Sequence, residues 1–171
     1  MILDLDTLFP RGEEVAPFRV EGLPAREETD PTVTVTNVTV QGTVTAQGKL
    51  FLVSGSLVFR YETVCARCLA PVEASCEAEF DEEFALTEDE ENPDRYLYKG
   101  QALDLTQMVN DCITLNMPLR TLCREDCKGL CPVCGADRNV VTCACTEGED
   151  PTENYNPFAV LANLREENEE V

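Results

Sequence analysis

Six cysteines fall between residues 123 and 145, in the run Cys123-Arg-Glu-Asp-Cys127-Lys-Gly-Leu-Cys131-Pro-Val-Cys134-Gly135 and then Cys143-Ala-Cys145. Thiolates at this density suit a zinc ion, which takes four ligands in tetrahedral array and needs two pairs that converge. Cys131-Pro-Val-Cys134-Gly135 has the form of a zinc knuckle. Pro132 stiffens the turn, and Gly135 permits a positive φ where the chain reverses. Backbone N–H groups in such a turn point at sulfur and stabilise the thiolate. The second pair is Cys123 with Cys127, Cys143 with Cys145, or one cysteine from each. The candidate ligands are therefore Cys123, Cys127, Cys131, Cys134, Cys143 and Cys145. Six exceed one tetrahedral site, so two are spare or supply an outer shell. Four thiolates also close the shell and leave the ion a poor Lewis acid, which points to a structural zinc and not a catalytic one. In a segment with few apolar residues, metal binding is in effect the folding energy, on the order of 10–16 kcal/mol for small zinc modules.

A separate dithiol stands at Cys65-Ala-Arg-Cys68-Leu69, and three readings compete for it. It can be a redox pair, which calls for a helix N-terminus to lower the first thiol's pKa. It can be a second knuckle completing a site with Cys131 and Cys134. It can be a tight, reduced β-turn with a packing or interaction role. Cys76 and Cys112 fall on apolar faces and read as small core residues. The chain has no histidine. That excludes Ser-His-Asp triads, Cys-His pairs and histidine metal ligands, and the expectation is a protein that is not an enzyme.

Charge narrows the partners. Thirty-three acids against 13 bases give a formal net charge of −20. Residues 1–120 hold 22 acids and 9 bases, residues 121–146 three of each, and residues 147–171 eight acids and one base. Nucleic-acid affinity comes largely from Lys and Arg displacing counterions, so non-specific RNA or DNA binding is not expected. A basic protein partner is easier to accommodate. The opening Met1-Ile-Leu-Asp-Leu-Asp lacks the basic and apolar regions of a secretory signal, and no apolar run suits a membrane span. The expected compartment is the cytoplasm, where ten cysteines stay reduced and serve metals or redox chemistry.

The elements that position these residues read as α+β, with an antiparallel sheet or partly open barrel under a covering helix. Three domains are expected: a sheet domain over 1–120, the cysteine-rich module over 121–146, and an acidic linker with a C-terminal helix over 147–171. Residues 1–30 are broken up by Pro10, Gly12, Pro17, Gly22 and Pro24, although Ile2, Leu3 and Leu5 can open a strand or short helix. From Pro31 the chain alternates. Val33 and Val35 share one parity, and Val38, Val40 and Val44 share the other, so a bulge or turn is expected near Asn37. Ala46 to Lys49 reads as a hairpin tip. The next strand aligns Phe51, Val53, Gly55, Leu57, Phe59 and Tyr61; a third aligns Val72, Ala74, Cys76, Ala78 and Phe80 opposite Glu73, Ser75, Glu77, Glu79 and Asp81. Residues 77–94 hold ten acids and no base, and Glu88 to Asp94 reads as a solvated loop. The spacing predicts a helix over 104–117, capped by Asp104, with Leu105, Met108, Val109, Cys112 and Ile113 on one face and Pro118 beyond its end. Asn156-Pro157 can start a last helix over 157–168, packed on the sheet or free to dock on a partner.

These residues together resemble the YceD family, named for accumulation of large-subunit ribosomal RNA. The resemblance rests on Cys65-Ala-Arg-Cys68-Leu69, the Asp104-Leu…Met117-Pro118 helix, the run from Cys127 to Gly135 with Cys143-Ala-Cys145, and Asn156-Pro-Phe-Ala-Val-Leu-Ala-Asn-Leu164. It implies a bacterial or organellar protein that acts in synthesis, processing or stability of large-subunit rRNA. It implies ribosomal proteins or the ribosome-assembly machinery as partners, and it supplies no enzymatic activity. The combined expectation is a non-enzymatic ribosome-biogenesis factor with a structural zinc site. The alternative is a thiol-redox protein using Cys65 and Cys68.

Overall fold

The structure is a computed structural model that describes residues 1–23, 32–88, 90 and 92–145. Two compact units divide the chain, Met1–Cys127 and Lys128–Val171. The first holds β1 (Ile2–Asp4), α1 (Leu5–Leu8), β2 (Val15–Glu21), β3 (Thr34–Gln47), β4 (Leu50–Val64), β5 (Pro71–Ala85), β6 (Tyr96–Leu97), β7 (Ala102–Asp104) and α2 (Thr106–Asn116). Five strands form an open sheet in the order β2-β3-β4-β5-β6, and β1 pairs with β7 in a small second sheet. All pairings are antiparallel except β5 with β6, which run parallel. The result is an open sheet and not a barrel.

The long strands follow from the alternation. In β3 the register shifts between Val35 and Asn37, so Thr36 is the extra residue of a bulge. Because side chains alternate faces, one inserted residue turns both valine sets to the same side. Val38, Val40 and Val44 are fully buried, and Val33 and Val35 pack against the same core. In β4 and β5 the buried row is Val53, Leu57, Phe59, Tyr61, Ala78, Phe80 and Phe84. Burying a side chain as large as Phe59 or Phe84 contributes roughly 1.5–3 kcal/mol. Gln47 pairs with Leu50 across a two-residue tip in which Gly48 has φ 64°. Type II′ hairpin turns place glycine at this first central position.

The N-terminal region holds more order than its prolines suggest. Ile2–Asp4 is a strand and Leu5–Leu8 a helical turn, so both readings of that stretch apply in succession. Strand β2 is not expected from the sequence, because Pro17 lacks the N–H of a ladder. It is tolerated because β2 is an edge strand.

Helix α2 packs against β5 and β4 through Met108, Val109, Cys112 and Ile113, with Leu105 buried just ahead of them. It is shorter at both ends than the 104–117 expectation. Leu105 takes the N-cap position with no side-chain cap of its own. Asp104 instead accepts from the Thr106 hydroxyl at 2.5 Å and the Thr106 N–H at 3.0 Å. These bonds, the hydroxyl first, hold its carboxyl below the usual range. Burial pushes the Cys112 thiol up, as fits a core residue. Of the acidic stretch, the part before Ala85 belongs to β5, and residues 86–95 connect β5 to β6.

One sheet contact is unusually close. Gly42 and Gly55 are register partners, flanked in the same row by Phe18 and Phe80. A Cβ on Gly55 would lie 2.1 Å from the Gln41 carbonyl oxygen, and one on Gly42 would lie 2.1 Å from that of Ser54. Side chains there are excluded by backbone, which cannot swing aside. Gly55→Ala is therefore expected to cost about 1–3 kcal/mol, an overpacking penalty. A denaturant midpoint unchanged by Gly55→Ala would contradict the close approach.

The second unit, described as far as Cys145, is built differently. Leu130 bridges Asp137, the Arg138 N–H donates to the Gly129 carbonyl at 3.0 Å, and Asn139 Oδ1 accepts from the Lys128 N–H at 2.8 Å. Among its described residues only Gly129 and Cys131 are buried, and Val133, Val140 and Val141 are exposed. The acidic linker and the helix expected over 157–168 lie outside the described residues.

Candidate metal centres

The end of the β4–β5 hairpin carries Cys65 and Cys68. These strands pair continuously from Leu50–Ala85 to Val64–Pro71, so the turn between Val64 and Pro71 is held by a 15-residue ladder. Within that turn the Cys65 N–H donates to the Ala70 carbonyl at 2.7 Å and the Leu69 N–H to the Cys65 carbonyl at 2.9 Å. The Arg67 N–H points at Cys65 Sγ, 3.4 Å away. In the second unit, Cys131 and Cys134 sit in a turn of the same construction. There the Cys131 N–H donates to the Ala136 carbonyl and the Gly135 N–H to the Cys131 carbonyl, both at 2.8 Å. Position for position, Cys65-Ala-Arg-Cys68-Leu69-Ala70 matches Cys131-Pro-Val-Cys134-Gly135-Ala136. The residue after the second cysteine has positive φ in both, 60° at Leu69 and 72° at Gly135.

Each turn meets a second pair of thiols. Cys65, Cys68, Cys123 and Cys127 bring their sulfurs within 4.8 Å of one another, as do Cys131, Cys134, Cys143 and Cys145. In the first quartet Cys65 Sγ lies 3.8 Å from Cys127 Sγ, and Cys68 Sγ lies 3.6 Å from Cys123 Sγ. A zinc–sulfur bond of about 2.3 Å sets tetrahedral sulfurs about 3.8 Å apart. A disulfide would need about 2.05 Å. Both quartets therefore have the composition for one tetrahedral ion. The donor set of four thiolates suits zinc or iron over magnesium or calcium.

Electrostatics repeat between the quartets. Burial pushes the Cys65 thiol up, but N–H groups of Cys123, Arg67 and Cys68 outweigh it and bring it down to about 6. The N–H groups of Cys134 and Val133 bring Cys131 down to about 6. In both turns the N–H groups two and three residues ahead lower the leading cysteine, as expected of a knuckle, and at Cys65 the Cys123 N–H contributes the largest lowering. At the opposite side, burial and the neighbouring Cys127 and Cys68 sulfurs push Cys123 up to about 12. Cys145 is pushed up to about 12 by Cys134 first and burial second. Thiolates this close to one another resist ionising together.

All six cysteines singled out as ligands fall into quartets, but not into one site. Cys131, Cys134, Cys143 and Cys145 group together, while Cys123 and Cys127 join Cys65 and Cys68. The partners of the hairpin dithiol in its quartet are Cys123 and Cys127, not the second CxxC that the spacing suggests. Nor does it stand at a helix N-terminus, as a redox dithiol would. Leu69 conceals the likeness of the two turns, because glycine is the usual signal at that position.

The family model described as "Large ribosomal RNA subunit accumulation protein YceD" matches residues 53–165. The chain belongs to the YceD family. Uncharacterised proteins of Mycobacterium bovis and Mycobacterium tuberculosis are 35% identical over 91 residues, 49% of this chain and 43% of theirs. The chloroplastic YCED homolog 1 of Arabidopsis thaliana, named a large ribosomal RNA subunit accumulation protein, is 34% identical over 65 residues, 38% of this chain and 19% of that one. The match thus spans less than half the length of these relatives. No solved structure matches. Among the described residues no helix is long and apolar enough to cross a membrane.

A non-glycine residue in the left-handed region costs roughly 1–2 kcal/mol. Leu69 is 62% exposed, so little burial offsets that cost. Leu69→Gly is expected to raise stability by about 0.5–1 kcal/mol, part of the relief being lost to the freer unfolded chain. Leu69→Val, β-branched and worse at positive φ, is expected to lower it. Guanidinium midpoints measure both, and a Leu69→Gly variant less stable than wild type would contradict this account of the turn.

Proposed function

We propose that this protein is a non-enzymatic factor in accumulation of large-subunit ribosomal RNA, working in ribosome assembly through a basic protein partner, with a structural zinc ion in the quartet Cys131, Cys134, Cys143 and Cys145. The family match carries the reading. The absence of histidine and the supply of four thiolates, which leaves no open coordination position, support a structural ion and not a catalytic one. The exposed valines of the second unit support it as well, because its described residues bury almost nothing apolar to fold around.

The sheet's outer face supports a basic partner. Glu73, Glu77, Glu79 and Asp81 line the exposed side of β5, and Glu62 stands opposite Glu73 on β4. Such a ladder attracts a Lys- or Arg-rich protein surface and repels phosphate. A basic ribosomal protein, engaged before it meets rRNA, has the matching chemistry. The hairpin cysteines are held in a four-sulfur group, which favours this reading over a thiol-redox protein.

The test is capture from cells. Tagged protein is expected to recover ribosomal proteins or large-subunit precursors, with recovery falling as salt rises. Glu77→Lys with Glu79→Lys should reduce recovery at least tenfold at unchanged stability, because both side chains are exposed. Recovery of neither class at low salt, or recovery unaffected by the charge reversal, would count against the proposal.

A further inference from the structure

We infer that Cys65, Cys68, Cys123 and Cys127 form a second, independent metal site. In it one thiophilic divalent ion clips the end of the β4–β5 hairpin to the segment that follows α2. The chain then binds two ions and not one.

Geometry carries the inference. The sulfurs of this quartet come from two segments more than fifty residues apart. Yet the cross-segment separations of 3.6 Å (Cys68 to Cys123) and 3.8 Å (Cys65 to Cys127) agree with the edge of a zinc–thiolate tetrahedron. The hairpin half is a knuckle by the same hydrogen bonds as the Cys131 turn, and it adopts that shape despite Leu69, at φ 60°, in place of a glycine. A tight β-hairpin with only a packing role has no need of that strained conformation. The other half is brought to it by bonds that do not involve sulfur. The Ala66 N–H donates to the Thr121 carbonyl at 2.9 Å, the Tyr61 and Thr121 hydroxyls lie 3.3 Å apart, and Arg67 Nη1 donates to the Cys127 carbonyl at 2.8 Å. The site is thus assembled by folded elements, with three of its four cysteines buried.

Its role differs from that of the local quartet. The C-terminal quartet spans residues 131–145 and closes within its own segment. The hairpin quartet joins residues far apart in sequence, so its ion stabilises by closing a long loop against an already rigid ladder. The second ion is independent of any role in rRNA accumulation, and either can fail without the other.

Protein purified under reducing, zinc-replete conditions is expected to carry two ions per chain by native mass spectrometry. Stepwise titration of its thiols with a mercurial reagent against a zinc indicator should release two equivalents. Cys65→Ser with Cys68→Ser should retain one ion, and Cys131→Ser with Cys134→Ser should also retain one. In the cobalt-substituted protein each double variant should lose half of the thiolate-to-metal absorbance. One ion in the wild type, or a Cys65→Ser/Cys68→Ser chain that keeps both, overturns the inference. The wild-type titration needs no variant, so its result stands even where a mutant misfolds.

Discussion

Four sulfur atoms gathered within 4.8 Å form a repulsive arrangement once they ionise, and this protein contains it twice. Two of the eight thiols are brought down to about 6 by backbone N–H groups, and two are pushed up to about 12 by their neighbours. A divalent cation at the centre of each group would remove that conflict. The remainder of the molecule can be understood as what brings the sulfurs together. In the second unit the constraint is most severe, because three valines face solvent and almost nothing apolar is buried among its described residues. There four thiols gather where a hydrophobic core would otherwise be.

The first unit solves the same problem with a scaffold. A bulge at Thr36 turns every valine of β3 inward, and the close Gly42–Gly55 contact lets Phe18 and Phe80 occupy the same row. The resulting core fixes β4 and β5, whose ladder runs without a break to the Cys65 turn. Helix α2 lies on these strands, ends near Pro118, and returns the chain to the hairpin end where Thr121 meets Ala66 and Tyr61. Local propensity, sheet packing and metal geometry are therefore consistent at this point.

Much of this is legible from residue order alone. The three long strands, the bulge, the hairpin tip and the apolar face of α2 all follow from periodicity. Strand β2 does not, because Pro17 counts against a strand unless its edge position is known. The parallel pairing of β6 also has no local signal in a two-residue strand. Within the site, cysteine spacing identifies the knuckle at Cys131 but cannot sort the remaining thiols. Pairing Cys65 and Cys68 with Cys123 and Cys127 depends on a fold that closes more than fifty residues. Leu69 removes the glycine that would have marked the hairpin turn as a knuckle.

This member of the YceD family combines an acidic sheet face with two thiol quartets, each of which can hold a metal ion. Sulfur ligation is the foundation of that picture. X-ray absorption at the zinc edge of the full-length, reduced protein tests it most directly. The expected first shell is four sulfur atoms per zinc at about 2.3 Å, with no oxygen or nitrogen neighbour. A shell containing light atoms, or zinc absent from a chain that is nevertheless folded beyond Lys128, would contradict it.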